Sequence, residues 1–60
     1  MKKLRTHIDN PEGADRVITD LWIDEEGRRW TMVNIEINNV HVCSVKKQDI
    51  DGKLWEEMTR

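Results

Sequence analysis

Cysteine occurs once in this chain, at Cys43, so no disulfide can form within it, and a reducing compartment such as the cytoplasm is the simplest reading. Apolar runs are short throughout. No segment approaches the ~20 apolar residues of a membrane span, and the basic start MKKLRTHIDN has no apolar stretch behind it to serve as an export signal. No Asn-x-Ser/Thr acceptor suggests a secretory route. Neither sign of charge prevails: ten Lys and Arg face twelve Asp and Glu, a formal charge of −2. That balance argues against a purely electrostatic nucleic-acid binder and against a strongly acidic mimic of DNA. Proline (one) and glycine (three) are too few, beside three tryptophans, for a disordered chain.

What remains is one small domain, residues 1–60. A chain of this length buries only about 60% of the surface its unfolded form exposes, so its core is thin. With disulfides excluded, oligomerisation is an obvious staple.

The most regular stretch is Arg28–Lys47, in which apolar and polar residues alternate as they do along a strand. Asn38-Asn39 supplies the positive φ of a two-residue turn, giving a hairpin of 28–38 with 40–47. In an unbroken register Ile37 faces Val40, Ile35 faces Val42 and Val33 faces Ser44. The opposite face then sets Glu36 beside His41, Asn34 beside Cys43, Met32 beside Val45 and Trp30 beside Lys47. Upstream, 16–23 (RVITDLWI) reads as a strand, joined to the hairpin through Asp24-Glu25-Glu26-Gly27 with Gly27 left-handed. Pairing Asp24 with Arg28 sets Trp22 opposite Trp30 and lets Val17, Thr19, Leu21 and Ile23 extend one apolar face.

The result is an α+β fold, mainly β: a three-stranded antiparallel meander with an additional N-terminal strand over 3–9. Asn10-Pro11-Glu12-Gly13 ends that strand. The C-terminal stretch 52–59 reads as a short helix covering the apolar face, with Ile50 stapled to Trp55. The alternative is a further strand and an all-β small barrel of four to five strands.

Catalytic furniture is sparse. Glu36, His41 and Cys43 come together in the unbroken register and form a weak zinc constellation, outweighed by a half-buried Cys beside an exposed His. A thiol nucleophile at Cys43 lacks a cleft, and Asp9–Asp20 fails as a calcium loop because Pro11 takes a ligand position. No cofactor, metal site or enzymatic activity is therefore expected.

The tryptophans carry more. Trp22, Trp30 and Met32, with Arg16, Arg28 and Lys47, fall on the face opposite the main apolar one, and such residues are enriched where proteins meet. The expectation is a small non-enzymatic binding protein, a regulator, adaptor or inhibitor of a larger protein, forming a homodimer. Its size and charge mixing suit an accessory protein of bacteria or their phages. The alternative is a nucleic-acid-binding β domain that stacks bases on its aromatic, basic sheet face.

Overall fold

A computed structural model describes all residues 1–60. Strands β1 (Lys2–Asp9), β2 (Arg16–Ile23), β3 (Arg29–Ile37) and β4 (Val40–Gln48) form one antiparallel sheet in the order β1-β2-β3-β4, followed by helix α1 (Lys53–Met58). The sheet is open, not a closed barrel, and the C-terminal stretch is helix, not strand. No helix is long and apolar enough to cross a membrane.

The two hairpin turns follow from their residues. Asn38 and Asn39 sit at φ 52° and 66°, the left-handed pair that a two-residue turn matched to strand twist requires. Gly27 adopts φ 83° in the β2–β3 connection. There the Asp24 side chain accepts hydrogen bonds from the Glu26 and Arg28 N–H groups at 3.0 and 2.8 Å, which locks the loop. The β2–β3 register places Trp22 opposite Trp30 and Leu21 opposite Thr31, as the pattern predicts.

The β3–β4 register does not stay unbroken. Ile37 pairs with Val40 and Glu36 with His41, but Ile35 pairs with Cys43, leaving Val42 as the extra residue of a bulge. Every partner beyond it moves by one: Val33 faces Val45, Asn34 faces Ser44, Thr31 faces Lys47 and Trp30 faces Gln48. The physical reason is in the residues. An unbroken ladder would put Ser44 and Lys46 on the apolar face and Val45 on the polar one, whereas the bulge reverses all three. A second irregularity, at Leu4, interrupts the β1–β2 ladder. Each edge strand thus carries a bulge, a feature that hinders edge-to-edge pairing.

Helix α1 packs on one end of the apolar face, against β2. Its anchor is Asp49, not Ile50, whose side chain is 81% exposed. The Asp49 carboxylate accepts the N–H groups of Leu54 and Trp55 at 3.0 and 3.2 Å, while its own N–H donates to the Arg29 carbonyl at 2.7 Å. It does the work of a capping side chain that Gly52, at the N-cap, does not have. Under the helix end lie the buried Leu21 and Thr31, with Thr19 also buried in the middle of the sheet; Leu21 is the one apolar residue that is buried.

Candidate functional site

Two surfaces result, one on each side of the sheet. The tryptophan face carries Trp22 and Trp30 as a cross-strand pair, with Met32 and Asn34 further along β3. No helix or loop layer covers it, because α1 lies on the other side. Lysines lie over the rings instead: Lys3 Nζ is 5.8 Å from the centroid of Trp22 and Lys46 Nζ is 5.1 Å from that of Trp30. Their stems keep the indoles half-buried while their charges remain in water.

The indole N–H groups differ in what they find. Trp30 Nε1 donates to Asp24 Oδ2 at 3.0 Å, and this bond, ahead of those from Arg28 and Glu26, holds the Asp24 carboxyl at about 2, below its ordinary 3.8. Trp22 Nε1 is buried and has no hydrogen-bond partner. A buried donor without an acceptor is costly, and few remain in folded proteins.

Of the residues expected on this face, Trp22, Trp30, Met32, Arg16 and Arg28 share it; Lys47 does not. The bulge at Val42 turns Lys47 to the apolar face opposite Thr31, and Lys46 takes its place beside the tryptophans. The signal was in the sequence: Val42 and Cys43 are adjacent apolar residues, a break in the two-residue alternation that marks the change of phase. The two arginines are already engaged. Arg16 Nε lies 3.5 Å from Glu36 and its Nη2 donates to Asn39 Oδ1 at 3.1 Å, and Arg28 pairs with Asp24 at 3.0 Å and Glu26 at 2.6 Å. Lys3 and Lys46 are left as the cations over the rings.

The trio Glu36, His41 and Cys43 is not assembled. Glu36 and His41 face each other, but Cys43 pairs with Ile35 on the opposite face. His41 instead joins a polar chain: its Nε2 lies 2.7 Å from Ser44 Oγ, which donates to Asn34 Oδ1 at 2.5 Å. With the Ser44 proton committed to Asn34, His41 Nε2 is the donor in that contact.

On the second surface, α1 leaves the end of the sheet near the β3–β4 turn bare. Val17, Val33 and Ile35 are half-buried there, and Ile37, Val40 and Val45 are 46%, 63% and 46% exposed. Val42, expected beside Ile35 in the core, is the bulge residue and 55% exposed. Sequence reasoning missed this bare end because it assigned the whole face to the core. Where the helix meets the sheet, an open cleft of about 580 Å³ lies among Leu4, Arg5, Leu21, Arg29 and Trp55. Trp55, half-buried, forms the helix's side of it. Comparison with known protein families, with curated proteins and with solved structures finds no match for this chain.

Proposed function

We propose that this is a small non-enzymatic binding protein, acting as a homodimer to regulate, adapt or inhibit a larger protein, which it contacts through the tryptophan face. The observation that supports this is the Trp22–Trp30 pair on an uncovered sheet face, with the Trp22 indole N–H lacking an acceptor. Large amphipathic rings beside Met32 make the composition of an interaction hot spot.

The nucleic-acid reading is the weaker one on electrostatic grounds. Phosphate binding needs free cations, and on this face both arginines are already paired with carboxylates, which leaves Lys3 and Lys46 alone for that task. Asp20 and Asp24 add negative charge beside the rings.

Affinity capture with the wild-type chain as bait, followed by mass spectrometry, identifies the partner. Trp22→Ala and Trp30→Ala should each lose at least about 2 kcal/mol of the binding energy, roughly thirtyfold in affinity, while keeping the strand signature in far-UV circular dichroism. Retention of full affinity by both variants would sink the assignment. Titration with single-stranded oligonucleotides at low salt, read by Trp fluorescence, tests the other reading: salt-sensitive quenching would favour it.

A further inference from the structure

The cleft where α1 meets the sheet lies on the side away from the tryptophan face, and its lining carries charges that the partner reading does not use. We propose that it is a binding site for a free α-amino acid with an apolar side chain, held by its carboxylate on the sheet side and by its ammonium on the helix side.

The bulge in β1 works against the sequence pattern. Alternation puts Leu4, Thr6 and Ile8 on one face, and an unbroken ladder running on from the Lys3–Trp22 pair would set Leu4 opposite Leu21 and Arg5 opposite Asp20. That register would bring Leu4 and Ile8 onto the apolar face and give Asp20, 7% exposed, a cationic partner. The structure instead leaves Leu4 out of the ladder, sets Arg5 opposite Leu21, and satisfies Asp20 with the Thr6 hydroxyl at 2.7 Å. Bulges that re-aim a side chain are over-represented beside functional sites, and this one delivers an arginine into the cleft.

The charges of the cleft are also unspent. Arg16 and Arg28 are both engaged with carboxylates, whereas the guanidiniums of Arg5 and Arg29 form no ion pair and donate no hydrogen bond. Both line the cleft, as do Asp51 and Glu56, which are equally unpaired. The signs are segregated by element: the cations come from β1 and β3, the acids from the connection into α1 and from α1 itself. A simple anion would meet the two carboxylates and a simple cation the two guanidiniums. A zwitterion suits both sides, since a guanidinium offers paired N–H donors to a carboxylate and an ammonium donates to Asp and Glu. Between the charges the lining is apolar, with the buried Leu21, the bulged Leu4 and the half-buried Trp55 to receive a side chain. At about 580 Å³ the cleft is in the size range of small-molecule sites.

Nitrogen–proton correlation NMR of the full chain, titrated with L-leucine to about 20 mM, tests this, since even a Kd of about 1 mM saturates in that range. Shifts should centre on the backbone N–H groups of Leu21, Gly52 and Trp55. Isocaproate, which lacks the ammonium, and isoamylamine, which lacks the carboxylate, should each bind at least about tenfold more weakly than leucine, the worth of one charge-assisted hydrogen bond. Arg5→Gln and Glu56→Gln, at exposed positions, should weaken leucine binding by a similar factor while leaving the rest of the spectrum in place. Should either variant fail to fold, the analogue series on the wild-type chain still decides. The absence of any leucine-induced shift overturns the proposal. So does isocaproate or isoamylamine binding as tightly as leucine, or a set of shifts centred on Trp22 and Trp30.

Discussion

Asp49 is 2% exposed and has no cationic partner within ion-pair distance, yet three protein groups converge on its carboxylate: two helix N–H donors and, at 3.5 Å, the Thr31 hydroxyl. One residue thus ties the helix to the sheet. Asp49→Ala should cost about 1–3 kcal/mol, because it leaves two half-buried helix N–H donors and the buried Thr31 hydroxyl without their acceptor. Far-UV circular dichroism should lose helix signal before the sheet melts. Asp49→Asn keeps one acceptor and should lie between the two; a melt of the Ala variant that overlays wild type would remove Asp49 from this role. Asp24 does the comparable task at the β2–β3 turn, and its effect is legible in pH. Its folded carboxyl is held at about 2, below 3.8, foremost by the Trp30 indole N–H. A depressed folded value means that the unfolded chain takes up the proton first, so the stabilisation is complete above about pH 4 and fades as pH falls through 2. Asp24→Asn should therefore be less stable than wild type at pH 7, and the gap should close on acidification over that window. Parallel melting profiles of the two proteins from pH 7 to pH 2 would contradict it.

Strand β4 shows how one residue reorganises an element. Removing Val42 from the ladder moves Val45 onto the apolar face and Ser44 onto the polar one, where it bonds Asn34. Val42 itself makes no cross-strand pair, so Val42→Ala should change stability by no more than about 0.5 kcal/mol. Val33→Ala and Ile35→Ala, in paired and half-buried positions, should each cost about 1–2 kcal/mol. Urea melts of the three variants check the ordering; equal losses would mean that Val42 is packed like its neighbours. The β2–β3 register was legible because turn and pattern agree: Gly27 fixes the loop, and Trp22–Trp30 follows. The β3–β4 register was legible only as far as Glu36–His41. No Gly or Pro marks the bulge, and the alternation from Val40 to Val42 looks regular until the adjacent Val42 and Cys43 are weighed against Ser44 and Lys46. The same slip puts Lys46 on the tryptophan face and Lys47 on the apolar one, the reverse of what unbroken alternation predicts.

For the molecule as a whole, alternation revealed that one face is apolar but not how much of it the chain covers. Coverage depends on helix length and docking position, and both are set by Asp49-Ile50-Asp51-Gly52, whose composition reads as an ordinary turn. The helix is six residues long, and Leu21 alone among the apolar side chains is buried. So little enclosed apolar surface leaves a monomer of this size with slender stability. If a second copy supplies the missing cover, folding and association are linked, and mass action must appear in the melt. The midpoint of thermal unfolding should rise by several degrees between about 10 μM and about 1 mM, since each tenfold in concentration adds up to about 1.4 kcal/mol to the apparent stability of a linked dimer. Val45→Lys should melt lower, with a midpoint that no longer depends on concentration. Calorimetry at the two concentrations distinguishes the cases: a concentration-independent wild-type midpoint would mean that the sheet holds without its second layer, and the bare valines and isoleucines would then be surface that the chain tolerates.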